Sequence, residues 1–276
     1  MRPVGAGSGD RPETESPPRD PVFPTPGWAL LLTLGAVFLQ GSLVLTLQPW
    51  VGSGRPPAFA LSALVAYGLA FAVSTPRIPD PPGPHLGFHT PAPRAWLAIP
   101  FLLMAALLIS EIDNGFKEWV PVPAELQPLA GPEDTATLAT WLLVFAAISP
   151  VIEETFFRGL LQPGCVAAWG VRGGIAFVAL LNGIAISLTA GPWSFGYAVS
   201  AAGLLGFVRH ATGSLLPGML LNVGFGTLAV VATREPFGIP GFDDASAAHT
   251  PLGILAVAAV SVGIGLALCR APRRGP

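Results

Sequence analysis

Glu153, Glu154 and Arg158 lie in the run Ser149-Pro150-Val151-Ile152-Glu153-Glu154-Thr155-Phe156-Phe157-Arg158-Gly159, inside or at the edge of a long apolar stretch. Ionisable groups are costly in such a setting, so by default they mark a functional site. On a helix, residues four apart share a face, which lets Glu154 pair with Arg158. Glu153 lies about 100° further round and points elsewhere. One carboxylate is held by a fixed cation, and its neighbour is left free to act. The plainer alternative is a helix end stapled by Glu154 and Arg158, with Arg158 snorkelling to the membrane interface.

The elements that must position these groups are apolar. Of 276 residues, 51% are hydrophobic and only 11% charged, against about 25% charged in ordinary soluble domains. The apolar residues fall into eight blocks, roughly 28–47, 57–75, 96–110, 136–157, 173–190, 193–208, 214–233 and 252–269. A helix needs about 20 residues to cross about 30 Å of hydrocarbon. The third and sixth blocks fall furthest short of that length. This pattern predicts an all-α, polytopic membrane helix bundle of about eight transmembrane helices.

Charge gives an independent check, because Lys and Arg collect on the cytoplasmic side. With eight spans, Arg2, Arg11, Arg19, Arg77, Arg94, Arg158, Arg172, Arg209, Arg270, Arg273 and Arg274 share the side of both termini. Only Arg55, Lys117 and Arg234 fall on the other. The 11-to-3 split of the 14 basic residues predicts both termini in the cytoplasm. The net charge of −2 gives no reason to expect a nucleic-acid partner.

The expected organisation is a disordered polar tail over 1–26, a helix bundle over 27–270 and a basic tail over 271–276. The tail is not expected to act as a signal peptide, since no small-residue cleavage site follows the first apolar block. Seven prolines between Pro76 and Arg94 predict an extended linker, in which His85 and His89 are solvent-exposed. The segment 111–134 reads as a long acidic outer loop, whose end at Asp134 supplies an N-cap for the fourth span. Gly159 and the Pro163-Gly164 step are expected to break that span's helix. Cys165 and Cys269 fall at the cytoplasmic face, where a disulfide is not expected.

The motif Glu153-Glu154-x-x-x-Arg158-Gly159 in a multi-spanning chain resembles the first motif of the CAAX prenyl protease and bacteriocin-processing family of intramembrane proteases. Ala211-Thr212-Gly213-Ser214-Leu215-Leu216-Pro217 resembles that family's inter-helix step, and the likeness covers about 136–231. The resemblance implies a membrane-associated peptide or protein substrate and a location in a bacterial inner membrane. It also implies hydrolysis by a water that glutamates activate, with later histidines binding zinc or polarising the water and an asparagine stabilising the oxyanion.

The chain departs from that pattern at decisive positions. Where the second motif has histidine, the register Asn182-Gly183-Ile184-Ala185-Ile186 places Ile186. Where the third motif has His-x-x-x-Asn, Asn222-Val223-Gly224-Phe225-Gly226 places Asn222 and Gly226. Asn182 and Asn222 can hydrogen-bond the glutamates across the bundle, but asparagine is a poor zinc ligand. Glu153, Glu154 and Arg158 are thus the candidate catalytic residues, with Asn182 and Asn222 as a polar cluster or substrate contact. The zinc that the resemblance implies has little support here. The functional readings are a family endopeptidase, a catalytically inactive scaffold or substrate-binding relative, and, ranked last, a small proton-coupled transporter. That last reading wants acidic groups on more than one helix.

Overall fold

The computed structural model describes residues 22–47, 49–50, 55–123, 134–234, 237–242 and 249–270. Most of the tail expected over 1–26, and all of that over 271–276, lie outside the described residues. Regular structure among the described residues is entirely helical. The helices are α1 (Pro26–Leu47), α2 (Arg55–Ser74), the single-turn α3 (Pro82–Leu86), α4 (Pro93–Leu103), α5 (Ala105–Lys117), α6 (135–161), α7 (Gln162–Ala190), α8 (Phe195–Thr212), α9 (Leu216–Ala232) and α10 (Leu252–Cys269).

A helix that is apolar all round belongs in a core or a membrane. Here much of that apolar surface faces outward. Phe38 is 79% exposed, Leu45 76% and Val260 66%. Helix α10 buries only Ala258, Gly265 and Cys269. Four helical stretches are long and apolar enough to cross a membrane, and a fifth is added if α4 and α5, bent by 44°, count as one. Helix α9 is apolar but shorter. The chain is a multi-pass integral membrane protein.

Three local expectations are corrected. Helix α5 continues through Lys117, so Glu111 and Asp113 belong to a helix and not to an outer loop. The reason is a partner: Asp113 accepts the backbone N–H of Tyr197 at 3.0 Å and pairs with Lys117 at 2.6 Å. The helix after the glutamates does not break at Gly159 or Pro163. Gly159 gives close approach instead, because a Cβ there would lie 3.3 Å from the Leu86 carbonyl oxygen. Pro163 sits in the first turn of α7, where its missing N–H is tolerated. The chain turns at Gly170, whose φ of 71° favours glycine. Beyond it the backbone folds back so tightly that a Cβ on Gly174 would lie 2.5 Å from Val166 Cα.

The proline-rich linker is also more ordered than expected. Its α3 turn ends at Gly87, whose φ is 92°, and the strap then docks on the α8–α9 turn. Leu215 N–H donates to the Gly87 carbonyl at 2.9 Å, and Ser214 Oγ donates to that of His89 at 2.5 Å. His89 is exposed as expected, whereas His85 is half-buried. The acidic cap is present: Asp134 accepts the Thr137 N–H at 2.8 Å. Cys165 and Cys269 are free and buried.

Two apolar cores flank the middle of the bundle. One gathers Phe156, Phe157, Leu160 and Leu161 of α6 with Tyr67 of α2 and Leu181 of α7. The other gathers Leu102 of α4 and Leu205 of α8 with Leu221 and Phe225 of α9. The glutamates sit at the seam between α6 and α9.

Candidate functional site

Helix α6 alternates between two helical forms. Leu142–Ile148 and Glu154–Leu161 are π-helical, and the α-helical turn Ser149–Glu153 separates them. Such wide turns recur at functional sites. Glu153 and Glu154 straddle the second junction, and their side chains leave α6 in different directions.

Glu154 and Arg158 are 0% and 1% exposed. Arg158 Nη1 lies 3.1 Å from Glu154 Oε1, and Asn222 Nδ2 of α9 donates to that same oxygen at 3.3 Å. Gly218, one turn before Asn222, makes room for the carboxylate. A Cβ there would lie 3.2 Å from Oε2. The pair is held by charge more than by hydrogen bonds, since Glu154 Oε2 and the guanidinium nitrogens of Arg158 have no hydrogen-bond partner in the protein. Breaking a buried pair of this kind leaves one uncompensated charge.

Glu153 makes no ion pair or hydrogen bond among the described residues and faces a cavity of about 340 Å³. That cavity is also lined by Arg158, Asn182, Ile186, Tyr197 and Asn222, with Phe145 and the alanines of α8 as apolar walls. The Asn182 amide nitrogen is buried and has no protein partner. The residues singled out in the sequence thus meet in one place: Glu153, Arg158, Asn182 and Asn222 around the cavity, with Glu154 sealed behind Arg158 and Asn222.

The donor set does not fit a metal. Among the described residues, no three His, Cys, Asp or Glu side chains converge to hold an ion. Ile186 presents hydrocarbon to the cavity where the resemblance calls for histidine. At Gly226, where it calls for asparagine, there is no space for one. A Cβ there would lie 2.4 Å from the Phe145 carbonyl oxygen and 3.0 Å from Ala146 Cα. The π-helical segment of α6 is pressed against α9 at the point where an oxyanion-binding side chain would emerge.

Sequence reasoning missed three contributors. Tyr197 lines the cavity, and Tyr67 lines a smaller pocket on the other side of Glu153 with Gln40 and Ser149. These are the chain's two tyrosines. Their rarity in so apolar a chain was the signal available. Gly218 gave none, being one small residue among 33 glycines.

A multi-pass helical bundle with a buried Glu–Arg pair and a carboxylate facing a cavity defines the class. Residues 135–228 match the family model described as type II CAAX prenyl endopeptidase Rce1-like, so this third of the chain is similar to that domain. The matched stretch contains Glu153, Glu154, Arg158, Asn182, Tyr197 and Asn222. No curated protein and no solved structure matches the chain.

Proposed function

We propose that this protein is a CAAX-protease-like membrane protein that binds an apolar peptide segment in the α6–α9 cavity without metal-dependent hydrolysis. The observation that carries the proposal is Gly226: the space for the family asparagine is filled by the backbone of Phe145. Ile186 supports the same conclusion, since its side chain offers no donor atom. The cavity is mostly hydrocarbon, which suits apolar side chains, with few polar groups to orient a backbone. The Asn182 amide donates to a peptide carbonyl, and Glu153 accepts a peptide N–H or holds a water. The sealed Glu154–Arg158–Asn222 cluster fixes α6 against α9, and so fixes the cavity shape.

In this proposal both termini face the cytoplasm, following the distribution of basic residues, and the membrane is a bacterial inner membrane, following the resemblance. The partner is a membrane-inserted or membrane-associated peptide. A second reading, slow hydrolysis by Glu153 alone, draws on its lack of an ion-pair partner. The test is photo-crosslinking of a purified, reconstituted protein to apolar peptides carrying a diazirine. Crosslinks to Phe145 or Ala198, lost in Ala201→Trp, are expected. Peptide that crosslinks only to outward-facing side chains would overturn the binding site.

A further inference from the structure

A second cavity, of about 160 Å³, lies on the other side of Tyr197 and is much more polar. Ser110, Asp113, Asn114 and Lys117 of α5 line it, with Phe225 of α9 and Phe242 as apolar walls. Tyr197 borders both cavities. Backbone contacts help to fix its placement. Asp113 accepts the Tyr197 N–H at 3.0 Å, acting as an N-cap supplied from another helix. Gly196 allows α8 to approach α5 so closely that a Cβ there would lie 2.7 Å from Phe116 Cβ. Phe116 and Phe195 add a ring contact at 5.8 Å.

We infer that Tyr197 is the partition between a polar antechamber and the glutamate cavity, and that water-soluble groups reach Glu153 through the chamber bearing Asp113 and Lys117. The inference rests on the proposed use of the α6–α9 cavity, yet concerns access and not peptide binding. Three observations support the route. The antechamber offers hydrogen-bonding groups that a hydrated solute can exchange for water. Lys117 keeps a side chain 34% exposed at its edge, while its ammonium pairs with Asp113. Tyr197 lines both spaces and is 37% exposed. Tyr197 is therefore the residue that decides which polar groups pass from one chamber to the other.

The partition is separable from folding. Tyr197→Ala removes the ring and keeps the N–H that Asp113 accepts. The experiment places a cysteine by Glu153→Cys and measures its modification in the purified full chain by charged methanethiosulfonates, read at position 153 by mass spectrometry. Tyr197→Ala is expected to raise the rate about tenfold or more, and Tyr197→Phe to leave it near that of the parent. In the Tyr197→Ala background, Lys117→Gln is expected to lower the ratio of anionic to cationic reagent rates several-fold. A rate unmoved by Tyr197→Ala, including no modification in either protein, would overturn the partition. A ratio unmoved by Lys117→Gln would overturn the route. Neither result depends on peptide binding, so loss of the crosslinks described above is a separate failure.

Discussion

Gly218 on α9 lies directly beneath the carboxylate of Glu154: a Cβ at that glycine would stand 3.2 Å from Oε2. The glutamate is enclosed by a cation at one oxygen and a bare backbone at the other. Helices α6 and α9 come together closely here because a long acid on one faces a position with no side chain on the other. Gly218→Val should therefore lower the thermal unfolding midpoint, by an overpacking cost of about 1–3 kcal/mol, whereas Gly203→Ala, at a glycine with open space around it, should leave it unchanged. Equal effects would show that the enclosure is unimportant.

Arg158→Leu should destabilise the protein more than Glu153→Gln. The first strands Glu154 in a sealed site, where breaking a buried pair costs about 3–5 kcal/mol. The second removes a charge that has no ion-pair partner. Denaturation of both variants in the same detergent checks the difference.

Asn222→Leu removes the amide that donates to Glu154 Oε1. Leaving a buried acceptor short of one donor costs about 1–3 kcal/mol. The expected loss lies below that of Arg158→Leu, and combining the two should cost less than their sum, because they share Glu154. Strict additivity in a double-mutant cycle would separate Asn222 from the cluster.

A pH-dependent contact ties the segment just before α10 to α5 and its C-terminal end. His249 lies 2.7 Å from Glu111 and 2.9 Å from Glu118, and the N–H of Thr250 donates to Glu111 at 2.8 Å. The hydrogen bonds to both carboxylates raise the His249 pKa above its ordinary value. A raised histidine stabilises the fold fully below its unfolded pKa, about 6.5, and loses that contribution as pH rises through the folded value. Unfolding temperature should fall across that window in the native protein and fall less in His249→Gln. Parallel profiles would exclude His249 as the cause.

Much of the fold could be read from composition, because a chain so apolar forms helices wherever its hydrophobic blocks allow. The glutamates, Arg158, Asn182 and Asn222 were legible for the same reason: polar groups stand out against hydrocarbon. What could not be read were contacts between distant segments. Helix α5 runs past its acidic residues because Asp113 caps α8. Gly159 lies within a helix, where its missing side chain lets Leu86 approach. Glycine in a sequence does not declare whether it permits a turn, as at Gly170, or a close approach, as at Gly159, Gly218 and Gly226.

Gly226 also bears on attempts to restore a metal site. Ile186→His with Asn222→His places two imidazoles on the cavity that Glu153 faces and should raise zinc affinity. Adding Gly226→Asn should unfold the protein or displace α6, because the Phe145 carbonyl occupies the space. A stable triple variant would contradict that packing.

The α6–α9 cavity is proposed to bind peptide without metal-dependent hydrolysis. The most direct test follows an apolar membrane peptide by mass spectrometry with the reconstituted native protein, with zinc added and with a chelator. The peptide is expected to crosslink to the cavity and to stay intact under both conditions. Cleavage that needs zinc, disappears on chelation and is lost in Glu153→Gln would contradict it.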